Sequence, residues 1–343
     1  MPRILVTGGC GYIGSHTLID LLENNYDVVS IDNLANSDGS LLHGVRQITG
    51  KPIENIALDL CDTKALEDFF SRDHAFDGVI HFAALKAVGE SVAQPLLYYR
   101  NNLFSLLNLL DAVERYGIKA FVFSSSCSVY GNVQQLPVTE NTPRADAESP
   151  YGNTKKIGED ILFDLAPRSK NRFVALRYFN PVGAHTSGLV GEQPQGTPSN
   201  LVPVITQTAA GVLPELVVHG NDYPTRDGTC IRDYIHVMDI ARAHRLAFEN
   251  LNNMQNGLVE VINLGSGNGV SVNEMIEAFE RVTGKKLPHR YGPRRAGDVV
   301  QIYADNSKAK RVLNWLPEYD VNDMMRTAWQ WEMNRGKMYA AAR

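Results

Sequence analysis

Cysteine is scarce in this 343-residue chain: Cys10, Cys61, Cys127 and Cys230 are scattered, and no two stand in C-x-x-C spacing. Neither a thiolate zinc site nor a disulfide framework is indicated, which leaves reduced core or loop thiols and no metal centre. No apolar run reaches the roughly 20 residues of a membrane helix. No basic block interrupts a formal net charge of −5. That balance argues against nucleic acid as the main partner, while a local basic pocket for a phosphorylated small molecule stays compatible with it. Internal repeats and low-complexity linkers are absent. The N-terminal Met-Pro-Arg-Ile-Leu-Val-Thr-Gly reads as strand and turn instead of a signal peptide. The expectation is a soluble, cytoplasmic protein. With 44% hydrophobic and 21% charged residues, it has the means to bury a core.

What is present alternates. Short β-branched or aromatic runs at 3–7, 27–32, 56–59, 78–83, 120–126 and 173–178 predict strands, and helical patterns at 14–24, 63–72, 98–116 and 151–165 lie between them. Near-continuous apolar strands separated by helices predict a doubly wound parallel α/β sheet, with ligands at the carboxyl ends of its strands. After Asn180 the pattern changes. Residues 181–203 are rich in Gly, Pro, Ser and Asn and read as loop. A helix over 239–250 and a strand over 260–264 follow, the strand ending in the glycine turn Asn263-Leu-Gly-Ser-Gly. The predicted organisation is therefore a first domain over 1–180, with a return segment around 232–267, interleaved with a smaller mixed α/β domain over 181–343.

The chemistry-bearing motifs fall at the predicted strand ends. Thr7-Gly-Gly-Cys-Gly-Tyr-Ile-Gly14 closes the first strand and opens the first helix. Gly8 suits a tight turn, Gly11 a close backbone approach to a pyrophosphate, and Gly14 close helix–strand packing. Asp32 ends the second strand, where a carboxylate binds ribose hydroxyls. No Arg or Lys occurs from Asn33 to Ser40 to receive a 2′-phosphate, so the cofactor reads as NAD and not NADP. Asp59 follows the third strand, within reach of an adenine. Phe82, Ala83, Ala84 and Lys86 end the fourth, where small residues let a cofactor lie close. Asn101 and Asn102 stand mid-helix, a poor place for asparagine unless one makes a polar contact. Ser124, Ser125 and Ser126 end the fifth strand. In Ser-Pro-Tyr-Gly-Asn-Thr-Lys, Ser149 reads as an N-cap and Pro150 as the first helical residue. Tyr151 and Lys155 are then one turn apart on one face. An ammonium and a helix N-terminus both favour phenolate, so Tyr151 is expected to be a phenol tuned toward neutrality, a general acid/base.

Together these residues resemble the extended short-chain dehydrogenase/reductase family, and within it the UDP-hexose 4-epimerases, almost end to end. The strings that carry the resemblance are TGGCGYIG (7–14), FAALKAVGES (82–91), SSSCSVYG (124–131), SPYGNTK (149–155), RYFNPVGAH (177–185), GNDYPTRDGTCIRDYIHV (220–237) and RRAGDVV (294–300). The resemblance implies that Ser126, Tyr151 and Lys155 are catalytic. It implies NAD contacts from Tyr12, Ile13, Asp32, Asn33, Asn36, Ser37, Asp59, Leu60, Lys86, Asn101 and Phe179, with Ser124 beside them. It places Asn180, Asn200, Leu201, Val217, His219, Arg232, Arg295, Asp298 and Ile302 on a UDP-sugar. The implied activity is reversible 4-epimerisation of UDP-galactose and UDP-glucose through a transient 4-keto sugar, with NAD tightly bound throughout, in galactose metabolism and by a homodimer.

Four positions depart from the family pattern. Ala84 replaces a frequent Gly. His219 stands where an aromatic flanks the uracil. Cys127 follows the catalytic Ser where Ala is frequent. Ile302 occupies a gate at which Tyr restricts relatives to glucose and galactose while small residues admit N-acetylhexosamines, so an N-acetylglucosamine or dual-specificity epimerase stays open. A nucleotide-sugar 4,6-dehydratase shares the Tyr/Lys pair but needs an acid/base pair, usually Asp-Glu, beside the catalytic hydroxyl. Here Cys127 and Ser128 follow Ser126. A reductase with a dissociable cofactor and a non-catalytic NAD-binding protein are the remaining readings; relatives of the second kind typically lose the tyrosine that this chain keeps.

Overall fold

The computed structural model describes residues 1–295 and 298–341; Ala296 and Gly297, inside the RRAGDVV string, and the last two residues lie outside the description. In chain order the first half runs β1 (Arg3–Thr7), α1 (Tyr12–Glu23), β2 (Asp27–Ile31), α2 (Leu41–Thr49), β3 (Asn55–Ile56), α3 (Thr63–Arg72), β4 (Gly78–His81), α4 (Val88–Ala93), α5 (Pro95–Tyr116), β5 (Ala120–Ser126), α6 (Pro150–Leu165) and β6 (Arg172–Tyr178). The second half runs β7 (Asn180–Val182), α7 (Leu201–Ala209), β8 (Leu216–His219), β9 (Ile231–His236), α8 (Val237–Asn250), β10 (Val259–Leu264), β11 (Gly269–Ser271), α9 (Val272–Thr283), β12 (His289–Gly292), β13 (Gln301–Ile302), α10 (Ser307–Leu313) and α11 (Val321–Ala341).

Seven strands form a parallel sheet in the order β10-β6-β5-β4-β1-β2-β3. Side chains alternate across a strand. Ile4 and Val6 of β1 therefore pack into one apolar layer with Leu18 and Leu22 of α1 and Ile240 and Ala243 of α8. Leu5 faces the opposite layer, with Phe70 of α3, Leu109 and Val113 of α5 and Leu162 of α6. Two covered faces are why the strands read as unbroken apolar runs. The chain winds outward from β1 through β2 and β3, then returns to β4 on the other side of β1. The carboxyl ends of β1 and β4 thus form the switch point where ligands bind in such sheets.

The strand expected over 260–264 does rejoin this sheet, as β10 beside β6. β9, inside the expected return segment, belongs instead to a smaller sheet, where it pairs with β7, β11 and β13. β8 and β12 make a separate parallel pair. This part has its own core, including Val202, Ile205, Val218, Tyr234, Phe279 and Met325. Three expected boundaries shift for local reasons. α1 begins at Tyr12 because Gly11, in extended conformation, is its N-cap. α5 begins at Pro95, a proline at a first helical position. β3 ends at Ile56, and beyond it the Asp59 carboxylate turns the chain by accepting the N–H of Cys61 at 2.9 Å. Among the described residues, no helix is long and apolar enough to cross a membrane.

Candidate active site

Glycines shape the cofactor end. Gly8 has φ +73°, and a Cβ there would lie 2.8 Å from the backbone nitrogen of Ala83; a Cβ on Gly14 would lie 2.1 Å from the carbonyl oxygen of Gly8. No side chain caps α1 at Gly11, so its first-turn N–H groups face outward at the positive end of the helix. Asp32 is pinned next to this turn. Its carboxylate accepts the N–H of Cys10 at 3.1 Å and of Leu34 at 2.9 Å, and the Ser37 hydroxyl at 3.4 Å. Burial pushes its pKa up. A bare cradle that any Cβ would fill, with an acid fixed at its side, fits a dinucleotide such as NAD.

The other residues expected around the cofactor have distinct surroundings. Asn33 and Asn36 are exposed in the loop after Asp32, and the Asn33 side chain accepts the N–H of Ala35 at 3.1 Å. Asp59 is exposed, whereas Leu60 is buried and its carbonyl accepts Asn108 Nδ2 at 2.9 Å. Ala83 donates its N–H to Thr7 Oγ1 at 3.3 Å, which holds Phe82, Ala83 and Ala84 against the end of β1. Tyr12 turns its phenol away from the cradle and donates to the carbonyl of Gly183 at 2.6 Å, tying α1 to the loop after β7. Only the backbone of Tyr12 and Ile13 remains at the helix N-terminus. Phe179 is buried with Val129, Tyr130, Val138 and Ile302. Ser124 points its hydroxyl to the buried His244 Nε2, 3.3 Å away.

Of the adjacent pair Asn101 and Asn102 on α5, Asn102 makes the contacts to other segments. Its amide donates to Leu85 O at 3.0 Å and Thr154 Oγ1 at 3.1 Å, and its carbonyl accepts from Leu85 N at 2.8 Å and from Asn101 Nδ2 at 2.9 Å. It thereby ties the segment after β4 to α6, the helix that carries Tyr151.

α6 starts as the sequence predicts. Ser149 Oγ accepts the N–H of Gly152 at 3.2 Å, and Pro150 is the first helical residue. Tyr151 is partly buried and Lys155 is 4% exposed. Ser126 ends β5, and its Oγ accepts the N–H of Ser128 at 3.2 Å, capping the 3-10 turn Cys127–Tyr130. The electrostatics correct the sequence expectation. Burial pushes Tyr151 up to about 12, and the Ser126 hydroxyl only partly offsets it. Burial also lowers Lys155 to about 8, its ammonium lying 5.1 Å from the centre of the Phe123 ring. Desolvation is the largest influence on this phenol, and it works against the tuning toward neutrality that the sequence predicts.

Behind these side chains lies a polar network that motif reading missed. Ser125 Oγ donates to Glu159 Oε1 at 2.6 Å, and Arg177 grips the same buried carboxylate at 2.8 and 2.6 Å. Glu159 is one turn beyond Lys155, so the pair fixes α6 against β5 and β6. The spacing of Glu159 from Lys155, together with Arg177 in the RYFNPVGAH string, was the available signal.

At the substrate end, three expected residues converge. Arg295 donates to Asp298 Oδ1 at 2.8 Å, and Arg232 lies 3.7 Å from the same oxygen. Two forked guanidiniums gathered in this way suit a diphosphate. Ile302 pairs with Arg232 in the β13–β9 ladder and is 6% exposed, packed on Val129 and Tyr130 of the turn after Ser126. It lies between Arg232 and the turn after Ser126. Asn180 lies on β7 and Leu201 opens α7, both partly buried; on β8, Val217 is partly buried and His219 exposed. Asn200 is exposed and donates through Nδ2 to Glu192 Oε1 at 2.8 Å. Glu192, absent from the sequence reading, sits in the glycine-rich loop where patterns are least legible.

The doubly wound sheet, glycine cradle and Tyr/Lys turn define an extended short-chain dehydrogenase/reductase with an additional, smaller mixed sheet. The family pattern described as GDP-mannose 4,6 dehydratase matches residues 5–328. A UDP-glucose 4-epimerase from Bacillus subtilis is 48% identical over 340 residues, 99% of each chain. The crystal structure of a UDP-glucose-4-epimerase from Stenotrophomonas maltophila with bound NAD and formylated UDP-arabinopyranose superposes with a TM-score of 0.95 at 46% identity, covering 98% of this chain and 100% of that one. Another from Bifidobacterium longum, in complex with NAD+ and UDP, gives 0.92 at 46% identity, covering 97% and 99%. The chain belongs to the UDP-glucose 4-epimerase family.

Proposed function

We propose that the protein interconverts UDP-galactose and UDP-glucose by inverting the sugar C4, with NAD retained through the cycle. The observation that carries this reading is the Tyr151/Lys155 turn set against Ser126 at the carboxyl end of β5, with Arg232 and Arg295 gathered on Asp298 nearby. No carboxylate follows Ser126, which disfavours dehydration.

In this reading Gly8, Gly11, Gly14, Tyr12 and Ile13 hold the NAD pyrophosphate through backbone. Asp32, Asn33, Asn36 and Ser37 hold its ribose, and Asp59 and Leu60 its adenine. Phe82, Ala83, Ala84, Lys86, Asn101, Ser124 and Phe179 line the remainder. When bound, NAD supplies a hydride acceptor and donor and a positive charge that favours phenolate at Tyr151. Tyr151 takes the proton of the sugar 4-hydroxyl, directly or through Ser126, and returns it after the 4-keto sugar has turned over. Lys155 holds its ammonium on the same helical face. Arg232 and Arg295 anchor the diphosphate. Asn180, Asn200, Leu201, Val217, His219 and Asp298 fix the rest of the nucleotide, and Ile302 bounds the sugar.

Residues 1–180 with a return segment within 232–267 then form the NAD domain, and 181–343 the UDP-sugar domain. We place the enzyme in galactose metabolism in the cytoplasm, where its four free cysteines stay reduced, and as a homodimer. Exposed Val88, Val92, Leu96, Leu97, Phe104 and Leu107 on α4 and α5 support a second copy there.

The test is incubation of the purified protein with UDP-galactose. UDP-glucose should form with no accumulation of NADH. Stoichiometric NADH would favour a dehydrogenase, and retained NAD without conversion of any nucleotide sugar would favour a non-catalytic role. UDP-N-acetylgalactosamine in the same assay reads how much room the Ile302 wall leaves.

A further inference from the structure

One carboxylate stands between the two halves of the site. Glu192 Oε1 accepts from Asn200 Nδ2 at 2.8 Å and lies 3.7 Å from Lys86 Nζ. Asn200 is the N-cap of α7 on the substrate side, and Lys86 follows β4 on the cofactor side. The Glu192 backbone is fixed independently of these contacts. Its carbonyl accepts Trp331 Nε1 at 2.9 Å, and a Cβ on the preceding Gly191 would lie 2.4 Å from the Trp331 indole. The carboxylate is thus carried on a rigid mount, with its side chain only 12% exposed, while the ammonium that it faces is 61% exposed.

Two chemical consequences follow. Asparagine presents a donor end and an acceptor end, and a carboxylate accepts only. Glu192 therefore fixes the Asn200 amide with its nitrogen inward, leaving the carbonyl free to accept from a ligand. The same charge draws Lys86 to the mouth of the cofactor cleft, where its nitrogen lies 5.9 Å from the centre of the Tyr12 ring. Tyr12 itself is hydrogen-bonded across to Gly183 of the other half.

We propose that Glu192 is a positioning residue that couples the cofactor side to the substrate side: it orients Asn200 for the nucleotide sugar and holds Lys86 toward the dinucleotide through one carboxylate. This rests on the roles proposed above for Asn200 and Lys86. Neither contact is to a reacting atom, so Glu192 governs binding and retention, not the chemical step.

The test uses NAD-loaded full-length protein with UDP as the probe, reading UDP affinity by calorimetry and NAD release by enzymatic assay of the free cofactor over time, with and without UDP. Glu192→Gln keeps the shape but loses the charge and lets the amide pair flip. It should weaken UDP binding by about fivefold, the worth of one ordinary hydrogen bond, and speed NAD release. In turnover it should raise KM while sparing kcat. Asn200→Ala should then add little to the UDP defect of Glu192→Gln, and Lys86→Met little to its NAD defect. As a second measurement that leaves Glu192 intact, Lys86→Met alone should alter UDP affinity, although the lysine is on the cofactor side. Unchanged UDP affinity and NAD release in Glu192→Gln, full additivity with both partners, or a Lys86→Met effect confined to NAD would each overturn the coupling. Protein that binds UDP normally and fails these tests overturns the coupling alone; protein that binds no UDP overturns the functional reading with it.

Discussion

At Tyr151 the sequence supplies the residue and its neighbours but not their energies. The i, i+4 spacing to Lys155, the Ser149 cap and Pro150 are local, and each is found where it was expected. The pKa is not local. It depends on how much water the folded pocket removes, and burial takes the phenol to about 12. The lysine shows the same effect with opposite sign, since burial disfavours its charged form and lowers it to about 8. On the proposed reading, the positive charge of a bound NAD would favour the phenolate that burial disfavours. Tyr151→Phe removes the proton carrier and leaves the glycine cradle alone. Its kcat should fall by roughly 10²–10⁴, the usual worth of general acid/base catalysis, while NAD remains bound and KM changes little. Turnover close to native would show that another group moves the proton.

Among the elements, those at the first strand–helix junction were the most legible, because glycine geometry is written into the sequence. The prediction that belongs to this scale is Gly14→Ala. The added Cβ would meet backbone, the Gly8 carbonyl oxygen at 2.1 Å, which cannot rotate away. α1 must then move from β1, and purified protein should carry much less NAD per chain than native, measured after denaturation. Full NAD occupancy would mean that the cradle does not need this close approach. Less legible were contacts between distant elements. Asn102 was recognisable as out of place in a helix, but its partners, Leu85 and Thr154, come from another loop and another helix. Glu159 joining Ser125 to Arg177 and Glu192 joining Lys86 to Asn200 depend on tertiary placement for which pattern has no period. The short reach of β3 was missed for a smaller reason, a side chain–backbone turn at Asp59.

For the molecule as a whole, apolar periodicity and the alternation of elements were enough for the parallel sheet and for the late return of β10, because both faces of the sheet must be covered. The strand order of the smaller sheet was not readable, since β7, β11 and β13 are only two or three residues long. Folding buries several histidines. His16 and His244 are lowered to about 4, and His81 and His236 to about 3, burial being the largest cause in each. Their folded values lie below the ordinary 6.5, so the unfolded chain binds more protons between those limits. Stability from these groups is complete above about pH 6.5 and is lost as pH falls toward the folded values, by roughly 1.4 kcal/mol per unit for each histidine. Buried Asp20, Asp233 and Asp239 and partly buried Asp32 are raised and act the other way, starting from the lower carboxylate range. The melting temperature should therefore drop steeply between pH 6.5 and 5. A flat profile across that interval would mean that the histidines are charged or hydrated in the fold.

The whole-molecule account requires the hydrogen at C4 to leave the sugar and come back to the same carbon without meeting water. The most direct measurement is conversion of UDP-galactose carrying deuterium at C4, with the product examined by mass spectrometry and NMR. The account predicts UDP-glucose that keeps the deuterium at C4, and none acquired from solvent when the unlabelled sugar is run in heavy water. UDP-glucose that has lost the label, or solvent deuterium incorporated at C4, would contradict it.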